Sequence, residues 1–220
     1  MLKPPFGALF DWDGVVIDSG RHHEESWERL AAETGLHLPE DHFKKGFGMK
    51  NEVIIPILLN WAHDPEEVRS LSLRKEALYR EVVREWGIEP LPGVVDLLTS
   101  LREAKIPAVI GSSTHRENIE TSLERLGLRD AFSDIVTAED VSHGKPDPEV
   151  FLIAAQRAGA PASECVVFED ALVGIEAAHR AGAKVVAVAT TNTIDLLSHA
   201  NLAVHRLTDI SLGDLRELWV

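Results

Sequence analysis

At 220 residues the chain suits one large domain or a core with a modest insertion. Its 45% hydrophobic and 26% charged residues are the balance of a soluble globular protein. A formal net charge of −14 argues against non-specific binding to nucleic acid or to an anionic membrane, while leaving room for an anionic substrate held by local cations and a metal. The single cysteine, Cys165, excludes an intrachain disulfide and fits a reducing compartment.

Taken in chain order, the N-terminal stretch lacks the long apolar segment and cleavage site of a signal peptide. No apolar run approaches the roughly 20 residues needed to span a bilayer. A cytoplasmic protein is expected. The first buried strand is predicted at 7–10, Gly-Ala-Leu-Phe, and it runs straight into Asp11-Trp12-Asp13-Gly14. Residues of about 19–87 then read as helical, with Trp27, Leu30 and Ala31 spaced for one face and a long helix opening at Pro65-Glu-Glu and running to about 86. Trp27, Trp61 and Trp86 are expected to pack within this segment. After Pro90-Leu-Pro-Gly93 short apolar runs resume at 107–111, 134–137, 165–168 and 184–189, separated by candidate helices at 93–104, 115–127, 148–158 and 171–181. Unbroken apolar character marks parallel strands covered on both faces. The β-α-β-α order predicts an α/β fold with a doubly wound parallel sheet and right-handed crossovers. The domain expectation is therefore a core of 1–18 and 88–220 with a helical cap, 19–87, inserted after the first strand. Cys165 falls in the apolar run 164–168 and reads as buried packing rather than as a nucleophile.

In open α/β sheets ligands bind beyond the carboxyl ends of the strands. Strand one here ends in Asp11 and Asp13, the next in Ser112, Ser113 and Thr114, and the fourth in Glu169-Asp170; Gly144-Lys145-Pro146-Asp147-Pro148 follows the third. These residue types suit phosphoryl transfer. A carboxylate can attack phosphorus without first losing a proton. Oxygen ligands from Asp11, Asp13 and Asp170 suit Mg²⁺, Lys145 can screen the nucleophile from an anionic phosphate, and a hydroxyl with backbone N–H groups at a helix start can hold phosphoryl oxygens. A second carboxyl two residues after the nucleophile can serve as general acid and then base.

At these motifs, Asp11-Trp-Asp13-Gly through Ser112, Gly144-Lys145-Pro146-Asp147-Pro148 and Glu169-Asp170 before Gly174, the chain resembles the haloacid dehalogenase superfamily. Within it, the likeness is to the helical-cap branch of β-phosphoglucomutase and related sugar-phosphate phosphatases. The resemblance implies a Rossmann-like core and a set of roles. Asp11 would be nucleophile and metal ligand, and Asp13 the acid/base with its backbone carbonyl on the metal. Ser112 and Lys145 would hold phosphate, Asp170 would be a further ligand to Mg²⁺, and Glu169 would support it. Ser113, Thr114 and Arg116 lie in the stretch that contacts substrate, and whether Ser112 or Ser113 faces the phosphate stays open. His23, Lys50 and Lys75 are candidate substrate contacts of the cap, set against ordinary surface or packing roles.

The implied function is Mg²⁺-dependent hydrolysis of a small phosphate monoester, with a phosphosugar mutase as the alternative and a non-catalytic binding module as the third reading. The cap loop reads Gly48-Met49-Lys50-Asn51 where the mutase pattern carries Gly-x-x-Arg, and losing that arginine's grip on a second phosphate favours hydrolysis. The expected partner is a small phosphorylated metabolite, with no nucleic acid, no membrane and a monomeric state.

Overall fold

A computed structural model describes residues 7–46 and 49–220. The chain divides into two compact units, one formed by Met1–Asp18 with Glu89–Val220 and the other by Ser19–Ile88.

The first unit is built on six parallel strands, β1 (Gly7–Phe10), β2 (Ala108–Gly111), β3 (Asp134–Val136), β4 (Cys165–Glu169), β5 (Lys184–Val188) and β6 (Leu202–Val204), in the order β3-β2-β1-β4-β5-β6. β1 is central. Its Phe10 is in register with Ile110 of β2 and Phe168 of β4. Side chains alternate between the sheet's faces, and both faces are covered. On one, Leu9, Val109, Val167 and Val185 pack with Phe151, Ala154, Ile175 and Ala178 from the helices Glu149–Arg157 and Leu172–Ala181. On the other, the Phe10 and Phe168 rings stack at 4.5 Å and Phe132 meets Phe10 edge-on. Cys165 is fully buried in the first of these layers.

β6 has no counterpart among the sequence expectations. It is a three-residue edge strand, Leu-Ala-Val, with only Val204 buried, and so short an apolar run does not stand out from the sequence around it. The helices Val94–Glu103, Arg116–Leu126, Glu149–Arg157 and Leu172–Ala181 fall where their periodicity placed them. Gly127 and Gly182 end two of them with φ of 65° and 83°, a conformation that needs the missing Cβ.

The second unit is helical. Gly20–Thr34 packs with Pro65–Trp86, and His42–Gly46, Asn51–Val53 and a π-turn at Ile54–Leu58 lie between them in sequence. Asp64 caps the long helix, its Oδ1 accepting from the N–H groups of Glu66 and Glu67 at 3.1 Å each, with Pro65 in the first turn where no N–H is needed. Trp27, Leu30, Ile54, Ile55 and Leu78 form its apolar core, with Trp61 against its edge. Trp86 departs from the packing expected of it: at the end of its helix it is 49% exposed, its ring tilted toward that of His22 with the centroids 5.7 Å apart. Among the described residues no helix is long and apolar enough to cross a membrane.

Candidate active site

The parallel register gathers the sequence-distant motifs within the first unit. The Asp11 N–H continues the β1–β4 ladder by donating to the Phe168 carbonyl at 3.0 Å, which sets Asp11 beside Glu169 and Asp170. After Asp13 the chain turns at Gly14 (φ 79°) and folds back, the Gly14 N–H reaching Ile17 O and the Val16 N–H reaching Trp12 O, both at 2.9 Å. Glycine is required at this turn on two counts. Its φ is positive, and a Cβ would stand 2.0 Å from Oδ2 of Asp170.

Lys145 is the cation of the site. Its Nζ lies 2.8 Å from Asp11 Oδ1 and 2.6 Å from Glu169 Oε1, over the Phe151 ring. Glu169 is fully buried, and its other oxygen accepts the N–H groups of Asp170 and Ala171 at 2.8 Å each. Asp170, also buried, takes the Thr191 hydroxyl on Oδ2 at 2.5 Å, and its backbone carbonyl accepts the Asn192 side-chain amide at 3.0 Å. Carboxylate oxygens of Asp11, Glu169 and Asp170 come within 4.8 Å of one another.

The Asp13 carboxylate turns elsewhere: its Oδ2 accepts the Thr114 hydroxyl. Ser112 is buried, its N–H donating to Val136 O at 3.0 Å and its Oγ accepting the Thr114 N–H at 3.1 Å, while Ser113 is half-buried.

Burial raises the Asp11 carboxyl to about 7; Lys145 opposes that rise, and the neighbouring Glu169 and Asp13 charges add to it. Asp170 is likewise pushed well above the carboxylate range, by burial first and then by Glu169 and Asp11. Burial alone would depress Lys145, but Asp11 and Glu169 outweigh it and hold the ammonium above its ordinary value. Three clustered carboxylates against one ammonium leave an excess of buried negative charge. An all-oxygen donor set with that excess fits a hard divalent cation such as Mg²⁺.

Other candidate residues have hydrogen-bond partners within their own unit. Arg116, expected to contact substrate, donates from its guanidinium to Asp140 at 2.6 Å and to the Ile135 carbonyl at 3.1 Å, so it braces the loop after β3. In the second unit Lys75 is not a surface lysine. It is 3% exposed, with Nζ 2.8 Å from His23 Nδ1 and 3.1 Å from Glu76 Oε1, and it lies over the Trp27 and Tyr79 rings. Asn51 is buried too, donating from its amide to Glu76 at 2.6 Å and to Ser72 at 3.1 Å. His23 stacks on Tyr79, and Lys50 is half-buried just before the helix Asn51–Val53. Gly48 of the same loop lies outside the described residues. Thr191 and Asn192 went unmarked by sequence reasoning; their only signal is a polar pair just beyond a buried strand end.

A six-stranded parallel sheet carries a carboxylate pair at the end of its central strand and a lysine–carboxylate cluster beside it, the arrangement of a Rossmann-like hydrolase whose candidate nucleophile is a carboxylate. The chain belongs to the haloacid dehalogenase-like hydrolase family, whose model matches residues 7–182. It is 39% identical, over 96% of its length, to the chloroplastic 5-amino-6-(5-phospho-D-ribitylamino)uracil phosphatase of Arabidopsis thaliana, and it spans 57% of that longer protein. Similarity extends to the fructose-1-phosphate phosphatase YqaB of Escherichia coli (32% identity, 80% of this chain and 92% of that protein) and to the β-phosphoglucomutase of Bacillus subtilis (30%, 96% and 94%). Among solved structures, a HAD hydrolase of family IA from Entamoeba histolytica superimposes with a TM-score of 0.88 at 30% identity, covering 97% of this chain and 98% of that one.

Proposed function

We propose that this protein is a divalent-metal-dependent phosphatase that hydrolyses a small phosphate monoester, a phosphorylated sugar or polyol, through a covalent phosphoryl group on Asp11. The observation that carries the reading is the contact between Asp11 and Lys145 at 2.8 Å within a cluster of three buried carboxylates. A carboxylate nucleophile must be ionised and must meet an anionic phosphate, and the ammonium beside it serves both needs. Asp11, Asp170 and the backbone carbonyl of Asp13 would hold Mg²⁺, with Glu169 supporting; the ion supplies charge neutralisation at the phosphoryl oxygens.

Asp13 would protonate the leaving oxygen and later take a proton from water, and Thr114 orients its carboxylate beforehand. The Ser112 hydroxyl and the amides that follow it would hold phosphoryl oxygens. The named activities of relatives, among them a fructose-1-phosphate phosphatase and a hexitol phosphatase, support a phosphorylated sugar or polyol as the substrate class.

The relatives also include a mutase, and here two residues of the second unit favour hydrolysis. Asn51 spends its amide on Glu76 and Ser72, and the Lys75 charge is neutralised by Glu76. Neither offers a free cation for a second phosphate, which a mutase must retain between half-reactions. A purely structural role for the cluster would leave an excess of buried charge without purpose.

The test is release of inorganic phosphate from a panel of sugar and polyol monophosphates with Mg²⁺. Release is expected from the wild type and not from Asp11→Asn. Turnover by the variant at a substantial fraction of wild-type rate would remove the covalent mechanism. Interconversion of a sugar phosphate without release would favour the mutase.

A further inference from the structure

A carboxylate that binds a hard cation has to present one oxygen in a fixed direction, yet rotation about its terminal bond is soft. The loop following β5 restrains that rotation in Asp170. Thr191 Oγ1 donates to Oδ2 at 2.5 Å, and Gly14 packs its backbone so closely that a Cβ would lie 2.0 Å from the same oxygen. Oδ2 is thus enclosed, while Oδ1 has no hydrogen-bond partner among the described residues.

The same loop holds the surrounding backbone. Asn192 donates its amide to the Asp170 carbonyl at 3.0 Å, and the Thr190 hydroxyl donates to the Gly14 carbonyl at 2.5 Å. Three consecutive polar side chains therefore tie together the loops that follow β1 and β4. Thr191 is itself exposed, whereas Asp170 is 1% exposed, so this hydroxyl covers a buried carboxylate from the solvent side and adds little to the core.

We infer that Thr191, backed by Asn192, is a positioning residue that fixes the Asp170 carboxylate for a divalent cation. The inference rests on the metal-dependent reading above. Partners that orient metal ligands commonly change metal affinity by about 10–100-fold when removed.

The experiment is calorimetric titration of Mg²⁺ into the metal-free wild type, Thr191→Val and Thr191→Ser, with thermal midpoints recorded in EDTA. Valine keeps the shape and removes the donor; serine restores the donor. Expected is an affinity weakened about tenfold or more in the valine variant, recovery in the serine variant, and unchanged midpoints in EDTA. Wild-type affinity in Thr191→Val overturns the inference and leaves the phosphatase reading standing, as does a weakening that serine fails to rescue. A wild type that hydrolyses monoesters yet takes up no Mg²⁺ overturns the metal assignment, and the inference falls with it.

Discussion

Replacing Gly174 with alanine tests the architecture of the site directly. Gly174 sits in the first turn of the helix Leu172–Ala181, and a Cβ there would stand 1.7 Å from Glu169 Oε1 and 2.0 Å from its Cδ. Ordinary carbon–oxygen contact begins near about 3.3 Å, so the carboxylate must withdraw by roughly 1.5 Å. It is fully buried and holds Lys145 at 2.6 Å and the Asp170 and Ala171 N–H groups at 2.8 Å, and a displacement of that size breaks all three bonds.

Disrupting a buried, hydrogen-bonded charge pair costs about 3–5 kcal/mol. Alanine's better helix propensity offsets about 1 kcal/mol, leaving a net loss of about 2–4 kcal/mol. Urea denaturation followed by circular dichroism in metal-free buffer measures it. In a Glu169→Ala background the obstacle is gone, and Gly174→Ala should then be neutral or mildly stabilising. Wild-type stability for Gly174→Ala, or an equal loss in both backgrounds, would refute the reasoning. Activity should fall with stability, because Lys145 loses one of the two carboxylates that hold it.

Other outcomes follow from the same charges. Burial lifts Asp11 to about 7, so the fold favours its protonated form; stability is full below the ordinary carboxylate range and is lost as pH rises through about 7. Metal-free Asp11→Asn should therefore be more stable than wild type by about 4 kcal/mol in mildly alkaline buffer and equal to it near pH 4, as chemical denaturation across pH would show. Asp140 is the opposite case. Burial would raise it, but the Thr137 N–H and the Arg157 and Arg116 guanidiniums prevail and hold it down to about 2. Its contribution is present above the ordinary carboxylate value and lost as pH falls toward 2, so Asp140→Asn should cost about 2 kcal/mol at neutral pH, with the two unfolding curves converging in acid. In the second unit, Lys75→Met should destabilise by about 3 kcal/mol, because the buried Glu76 carboxylate loses the ammonium 3.1 Å from it, whereas Lys75→Met with Glu76→Leu should cost less. Equal losses would show that the pair is not coupled.

Much of the first unit was legible because its strands are buried on both faces, so Cys165-Val-Val-Phe and Lys184-Val-Val-Ala-Val announce themselves as unbroken apolar runs. The edge strand Leu202–Val204 offers only three such residues, two of them half-buried. Asp11, Lys145 and Asp170 could be read as a group because each follows a strand end in a characteristic local pattern. Contacts that depend on which strands are neighbours could not. Thr191 meets Asp170 only because β5 lies beside β4, and Arg116 is drawn to Asp140 only because β2 lies beside β3. Lys75 was ambiguous for a related reason: nothing local distinguishes a solvated helix lysine from one that finds Glu76 and two aromatic rings.

The strand order also bears on how the chain is made. β1 pairs with β2, about a hundred residues later in sequence, and with β4, later still. On the ribosome the central strand and Asp11 at its end emerge long before either neighbour exists, and the helical Ser19–Ile88 segment follows in the interval. Closure is then fixed where the chain returns, with Ile17 bridging Pro90 and the Leu91 N–H reaching the Val16 carbonyl at 2.9 Å. Such long-range pairing slows folding, so the four-residue apolar strand Gly-Ala-Leu-Phe must wait through that interval for the strands that cover its edges.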